Sequence, residues 1–256
     1  ARMPALRAEA LEGALWSPHE RRVESRTAVP RLARWLEQAH GVVFHRSTHV
    51  RAAEGGRLET TRGTFRAERI VICPGDERLA LCDARIRALG ISRVRLHMLK
   101  VMPAAPVPRL DAAVMSDLSL ARYLGYAALP EAQALARRLE REEAAKLAQG
   151  IHLIAVQGAD GGLVVGDSHH HEPAPSPFAA SRVDDLILAE LDAVLDLPAR
   201  RVVERWQGTY AHLPDRRAVV DAPEPATRLV VVTSGTGAST AFAIGEEVID
   251  ELFGRG

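Results

Sequence analysis

A strand, a glycine turn and a helix near the C-terminus constrain the fold of this chain more than any other stretch. Residues 229–232 form an apolar run rich in β-branched side chains, which predicts a buried strand. The turn Ser-Gly-Thr-Gly follows at 234–237, and its glycines let the backbone approach a ligand closely. From Ala238 onward a helix is predicted by apolar residues at helical spacing: Phe242, Ile244, Val248, Ile249 and Leu252.

Ser239 and Thr240 lie in the first turn of that predicted helix, where unpaired N–H groups and the helix dipole favour an anion. The stretch therefore predicts a cofactor-binding turn. An ordinary turn between a strand and a helix uses the same residue types and remains the alternative.

The charge balance and the cysteine content exclude several classes of function. Lys and Arg total 33 and Asp and Glu total 33 in 256 residues, so nothing favours a nucleic-acid partner or an anionic membrane surface. No run of 18 apolar residues occurs, and the sequence predicts no membrane span. Two cysteines, Cys73 and Cys82, form neither a disulfide framework nor a metal pattern, so we expect a cytoplasmic protein.

The order of elements predicts an α+β chain, with a strand-rich middle between two pieces of one nucleotide-binding unit. Helices are predicted at 2–11, 27–40, 131–149 and 183–195, in addition to the one that opens at Ala238. The main predicted strands are 42–45, 48–52, 58–61, 64–67, 69–73, 92–102, 112–115, 122–126, 151–157, 163–166, 201–210, 218–220 and 229–232. The chain opens with Ala1, and no Gly-x-Gly-x-x-Gly follows a strand in its first hundred residues. We therefore expect that the beginning of the nucleotide-binding unit is missing.

Several landmarks in this order resemble the FAD-dependent amine and amino-acid oxidoreductases of the glycine oxidase, sarcosine oxidase and D-amino-acid oxidase type. They are the helix at 27–40 with the valine at Val50, the strand and glycine at 69–75, the hairpin at 162–168, the strand and Pro-Asp turn at 206–215, and the glycine turn at 234–239. The resemblance covers nearly the whole chain. It rests on the order and spacing of the landmarks, since none of them is diagnostic alone.

The resemblance implies a mixed α/β fold, in which an FAD-binding Rossmann-like domain, incomplete at its N-terminus, carries an inserted antiparallel-sheet substrate domain. The implied domains are 1–90 and 206–256 for FAD binding and 91–205 for the substrate, while the helix at 181–195 fits either. FAD would be non-covalent, because Gly208 stands where sarcosine oxidases carry the cysteine bonded to the flavin. The implied cofactor-binding residues are Val50, Gly75, Ser168, Gly208, Ser234, Gly235, Thr236, Gly237, Ala238, Ser239 and Thr240.

The implied activity is oxidation of a primary or secondary amine by hydride transfer to FAD, followed by hydrolysis of the imine. The run 166–171 together with 234–242 is similar to a subgroup associated with phosphonate breakdown, which implies 2-aminoethylphosphonate or its N-methyl form as substrate. Oxygen or another electron acceptor would be the second partner. A truncated, non-catalytic nucleotide-binding protein and an NAD(P)-dependent dehydrogenase are the alternatives.

Six residues are candidates for substrate binding, and none is assigned a catalytic role: His97, Lys100, Arg122, Tyr123, His169 and Tyr210. Arg122 has the geometry that suits a phosphonate, and an ordinary surface role is open for each of the six. Ser239 and Tyr210 stand near positions where relatives place a lysine and a carboxylate-binding arginine, so no standard carboxylate clamp is expected. Three adjacent histidines at 169–171 do not all point one way along an extended segment, and we expect no metal.

Overall fold

The computed structural model describes residues 3–77, 81–172, 175–197 and 199–254. In chain order the strands are β1 (Val50–Glu54), β2 (Arg57–Thr60), β3 (Gly63–Arg66), β4 (Ile70–Ile72), β5 (Ser92–Pro103), β6 (Val114–Met115), β7 (Ile154–Gln157), β8 (Leu163–Gly166), β9 (His170–Glu172), β10 (Arg200–His212), β11 (Ala218–Glu224) and β12 (Thr227–Val232). The helices are α1 (Ser25–His40), α2 (Asp83–Ala88), α3 (Asp117–Arg122), α4 (Leu124–Ala127), α5 (Pro130–Glu142), α6 (Ala144–Leu147), α7 (Ser181–Val194) and α8 (Gly237–Phe253).

The chain divides into two units, and each is built from separate stretches. Unit 1 contains Ala1–His40, Arg95–His170 and Ser176–Gly208. Unit 2 contains Gly41–Val94, His171–Pro175 and Thr209–Gly256. The predicted domain limits at 90/91 and 205/206 stay a prediction.

A mixed core of helix and sheet holds unit 1 together. Its strands follow the order β10-β5-β8-β7-β6, and β8 pairs antiparallel with both β5 and β7. Alternation along β5 puts Leu99 and Val101 on the buried face, where Ile187 and Leu191 of α7 join the same core. Burying a side chain of this size contributes about 1.5–3 kcal/mol, so α7 and the centre of the sheet carry much of the stability of this unit.

Two three-stranded sheets form the framework of unit 2. One is the antiparallel meander β1-β2-β3, and the other has the order β11-β12-β4. Strand β12 pairs antiparallel with β11 and parallel with β4, with Thr227 opposite Ile70 and Leu229 opposite Ile72. Because β4 and β12 run parallel, their carboxyl ends meet at one edge of this sheet.

Helix α8 follows β12 directly and is mostly exposed. Its buried residues are Val248 and Leu252, which pack with Val230 of β12. The sequence pattern also placed Phe242 among the periodic apolar residues, but its side chain is 78% exposed. The helix therefore forms where predicted, while only part of its apolar pattern is buried.

Several predicted elements are wrong in type or extent. The predicted helix at 2–11 is a short 3-10 helix at Ala8–Ala10, and residues 42–45 form no strand in the described part of the chain. The predicted strand at 122–126 is the junction of α3 and α4, where Tyr126 donates its N–H to the carbonyl of Tyr123 at 2.8 Å. Local turn hydrogen bonds, rather than pairing with another strand, fix the backbone there.

The long helix predicted at 131–149 is two helices, α5 and α6, which separate at Glu143 (φ −123°, ψ 26°). The Glu143 carboxylate contacts Lys146 at 2.7 Å, and Lys146 also contacts Glu190 of α7 at 2.6 Å. The hydrophobic pattern gives no sign of this break, because the run of charged residues continues across Glu143.

Helix α2 was not predicted. No helix among the described residues is both long enough and apolar enough to cross a membrane.

Candidate active site

The glycine turn of unit 2 links the end of β12 to the start of α8, as the sequence predicts. The Ser234 hydroxyl lies 2.7 Å from the Thr236 hydroxyl, and the Thr236 carbonyl accepts the N–H groups of Ser239 at 3.0 Å and Thr240 at 3.1 Å. No side-chain hydrogen bond caps the N-terminus of α8, and Ser239 is exposed. The amides of Ser239 and Thr240, which the sequence pattern suggested for an anion, are thus already hydrogen-bonded, and those of Gly237 and Ala238 are the ones left for a ligand.

Gly75 follows β4, the parallel neighbour of β12, and so lies at the same carboxyl edge of the sheet from which this turn begins. Its φ is +65°, which favours glycine, and a Cβ placed there would meet no atom of the described residues within 4 Å. Gly75 and Val231 line one small pocket, and Arg93 fixes the adjoining turn by donating to the carbonyl of Asp76 at 2.7 Å. Ligands of open α/β sheets bind at such carboxyl edges.

Tyr210 is the candidate substrate residue that lies next to the glycine turn. The hydroxyl oxygen of Tyr210 is 3.9 Å from the position that a Cβ on Gly235 would take. The structure thus brings together Tyr210 and the glycine turn within unit 2. Val50, by contrast, starts the meander strand β1 and pairs with Thr60.

Ser168 and Gly208 belong to unit 1, and their surroundings are those of packed interior and sheet. Ser168 is fully buried, and its Oγ accepts the backbone N–H of His97 at 3.2 Å. Gly208 lies on β10, where an added Cβ would be 3.7 Å from Leu96. Their assignment to the cofactor stays a prediction.

His97 and Lys100 lie on opposite faces of β5, so they form separate environments. His97 is 3% exposed, with its Nε2 2.7 Å from Arg95 and its Nδ1 3.9 Å from Asp184 of α7. Lys100 contacts Asp160 at 2.5 Å and Glu204 at 3.7 Å, and the hydrogen bond to Asp160 raises the pKa of Lys100. The charge of Lys100 is therefore already balanced by carboxylates.

Three candidate residues of unit 1 do converge: Arg122, Tyr123 and His169. Arg122 is exposed at the end of α3 and donates to the carbonyl of Gly150 at 3.4 Å. The same carbonyl accepts Nδ1–H of His169 at 3.1 Å. The Tyr123 ring lies 5.7 Å from the ring of His152, and burial raises the pKa of its hydroxyl.

His152 and Asp167 complete this cluster, and the sequence analysis missed both. Their backbones exchange two hydrogen bonds, of 3.2 and 3.1 Å, just beyond the paired part of the β7–β8 hairpin. The His152 ring stacks on that of His169 with centroids 4.6 Å apart. The sequence does contain a signal for this pair: a histidine precedes the first strand of the predicted hairpin and an aspartate follows the second. Pairing the two strands in register places these two residues opposite each other.

Burial dominates the electrostatics of the cluster. It raises the pKa of Asp167 to about 7 and lowers that of His152 to about 3, and the charge of Arg122 lowers both pKa values. Each group is thus held towards its neutral form when no further ligand is present.

A parallel strand pair, a glycine turn and a helix without a side-chain cap are the features with which α/β units bind dinucleotides, and unit 2 contains all three. Residues 1–251 match the family model described as FAD dependent oxidoreductase, abbreviated DAO. The chain belongs to this family of FAD-dependent oxidoreductases. The fold class and the family inferred from the sequence landmarks are confirmed.

Several solved structures have folds similar to that of this chain. They include L-amino acid deaminase from Proteus myxofaciens (TM-score 0.58, 18% identity, 91% of this chain and 58% of that chain). Glycine oxidase from Bacillus cereus (0.54, 13%, 81% and 50%) and the amino acid oxidase NikD (0.53, 16%, 85% and 53%) are also similar. The chain spans about half the length of these proteins. No curated protein matches it in sequence.

Proposed function

We propose that this chain acts in the FAD-dependent oxidation of a primary or secondary amine, with non-covalent FAD bound in part by unit 2. The observation that carries the proposal is the shared edge of β4 and β12, where the backbone at Gly75 is uncovered and no side chain caps the helix that follows the glycine turn. The membership of the family supports the same cofactor.

When bound, FAD supplies the acceptor for the hydride that leaves the carbon next to the amine. The protein has to hold the amine in its unprotonated form, orient the carbon and bind the remainder of the substrate. The resulting imine takes up water and releases an aldehyde or keto product with ammonia or an amine. Oxygen or another acceptor finally receives the two electrons removed from the amine.

We further propose an aminoalkylphosphonate, such as 2-aminoethylphosphonate or its N-methyl form, as the substrate. Arg122 supports this choice, because its guanidinium is exposed and the described contacts include one weak bond to Gly150. A guanidinium binds a phosphonate through two parallel hydrogen bonds. Lys100 is less suited to an anion, since it already contacts Asp160 and Glu204.

The test is an absorbance spectrum of the purified protein, with and without added FAD, followed by anaerobic addition of candidate amines. It is run on these 256 residues and on the full product of the gene, because the chain spans about half of its solved relatives. We expect flavin bands that acid precipitation releases and that 2-aminoethylphosphonate bleaches.

Each other outcome is informative. Bleaching by glycine or sarcosine without bleaching by the phosphonate would support amine oxidation and contradict the phosphonate proposal. Bound FAD that no amine bleaches would favour a non-catalytic nucleotide-binding protein. Absence of flavin from both forms would overturn the proposal, and NAD(P)-dependent turnover would support the dehydrogenase alternative.

A further inference from the structure

Three side chains of unit 1 converge with the geometry of a metal site: His152, Asp167 and His169. One possible ligand atom from each lies within 4.8 Å of the others. Nε2 of His152 is 3.4 Å from Oδ1 of Asp167, and Nε2 of His169 is 3.8 Å from Oδ2. In a tetrahedral site with bonds of about 2.0–2.1 Å, neighbouring ligand atoms are about 3.3–3.4 Å apart, so small side-chain shifts would complete the site.

Polar atoms of this cluster lack hydrogen bonds although they are buried. His152 is 4% exposed, and neither its Nδ1 nor Oδ1 of Asp167 has a hydrogen-bond partner among the described residues. The side chain of Asp167 is 15% exposed and that of His169 is 6% exposed. A buried carboxylate oxygen without a donor is costly, and a cation beside Oδ1 and the two imidazoles would remove that cost.

The backbone holds the three residues in place. Two hydrogen bonds join His152 to Asp167, and the N–H of His169 donates to the carbonyl of Gln149 at 3.1 Å. The carbonyl of Gly150 accepts Nδ1–H of His169, and Nε2 of the same ring lies 3.8 Å from Oδ2 of Asp167. Metal-bound histidines are oriented by this kind of bond to the second ring nitrogen.

We propose that His152, Asp167 and His169 bind one Zn²⁺ ion, with a water molecule or another small ligand in the fourth position. Two imidazoles and one carboxylate are a zinc donor set. The ion would tie residues 149–152 to residues 167–169 and so fix the segment that carries Ser168. This proposal rests on the cluster alone and is independent of the proposed oxidation.

The positive charge of Arg122 acts on both His152 and Asp167, and it would repel a metal ion bound between them. We therefore expect Arg122→Gln to bind Zn²⁺ more tightly than the wild-type protein. The exposed His171 belongs to unit 2 and contributes no ligand atom to the cluster. It provides the matched control for adventitious binding by the histidine run.

The experiment removes metal from the full chain with EDTA and follows Zn²⁺ binding by titration calorimetry, with Co²⁺ as a visible-absorption probe of tetrahedral coordination. We expect one equivalent of Zn²⁺, and a tetrahedral Co²⁺ spectrum that Zn²⁺ abolishes. Asp167→Asn and His152→Asn should each weaken Zn²⁺ binding more than about 100-fold, because mutating a partner of a ligand residue already costs about 10- to 100-fold and these changes remove a ligand itself. His171→Ala should bind like wild type.

The variants are first compared by circular dichroism and thermal unfolding without metal, so that a folding defect is separated from a binding defect. Asp167→Asn is nearly isosteric and removes a buried charge, and we expect it to fold. The proposal is overturned if the metal-free wild-type protein binds no Zn²⁺. It is equally overturned if Asp167→Asn retains wild-type affinity or if His171→Ala abolishes binding.

Discussion

Arg122 is the residue whose change should separate an anionic substrate from a neutral one. Arg122→Gln removes a charge-assisted pair worth about 1.5–3 kcal/mol, which corresponds to about a 10- to 100-fold rise in KM for 2-aminoethylphosphonate. KM for an amine without an anionic group should change little. The measurement is steady-state oxidation of both substrates.

Arg137→Gln is the matched control for this prediction, because Arg137 is an exposed arginine of α5. Equal effects of Arg122→Gln on both kinds of substrate would contradict a role in binding the phosphonate.

Gly235 should tolerate a side chain in the free protein but not in the FAD complex. A Cβ at this position would lie 3.9 Å from Tyr210, which is ordinary contact, yet it would extend from the proposed ligand-binding turn. We expect Gly235→Val to weaken FAD binding at least about tenfold, because the backbone would no longer approach the dinucleotide closely. Flavin fluorescence during titration measures the affinity.

Gly245→Val is the control for that substitution, since a Cβ at Gly245 of α8 meets no described atom within 4 Å. It should leave FAD affinity unchanged. If both variants bind FAD like wild type, the turn before α8 does not contact the cofactor.

The Lys146–Glu190 pair should connect α6 to α7 more strongly than a surface pair would. The side chains are 12% and 5% exposed and 2.6 Å apart. Lys146→Met removes the ammonium group that pairs with the buried carboxylate of Glu190. We therefore expect the free energy of unfolding to fall by about 3–5 kcal/mol. Urea unfolding followed by circular dichroism measures the loss.

The exposed pair Arg138–Asp117, whose side chains are 44% and 40% exposed, is the comparison. Arg138→Met should cost no more than about 1 kcal/mol. Similar losses for the two variants would mean that burial does not strengthen the Lys146 pair.

Elements marked by an alternating or continuous apolar pattern could be predicted from the sequence, and elements fixed by local contacts could not. Strand β5 was predicted at 92–102 and found at Ser92–Pro103, and the predicted strand at 163–166 is Leu163–Gly166. The break at Glu143 and the turns around Tyr123 depend on individual side-chain and turn contacts. Such contacts leave no trace in the hydrophobic pattern.

One part of the candidate site could be predicted from the sequence and another part could not. The glycine turn before α8 could be predicted because strand, glycines and helix are contiguous. The cluster of His152, Asp167 and His169 could not, because hairpin pairing brings distant positions together. The three histidines at 169–171 are adjacent in the sequence, whereas the structure groups His169 with His152 and Asp167.

FAD should stabilise the whole molecule by mass action if it binds the folded chain alone. At 100 times its Kd the stabilisation is about 2.7 kcal/mol, which for a chain of this size raises Tm by about 5–10 °C. Differential scanning fluorimetry measures this shift. NAD at the same concentration should produce none, and a shift with NAD alone would favour the dehydrogenase alternative.

Each unit is assembled from three separate stretches of the chain, and three of the junctions lie within strands, in β5, β9 and β10. No single cut of the polypeptide therefore releases either unit intact. A chimera that exchanges unit 1 with that of a relative therefore needs several crossover points. The crossovers that fall inside strands must preserve the strand register, because a slip of one residue turns every side chain to the opposite face. Side chains within unit 1 are thus more readily exchanged one at a time than the unit is grafted as a block.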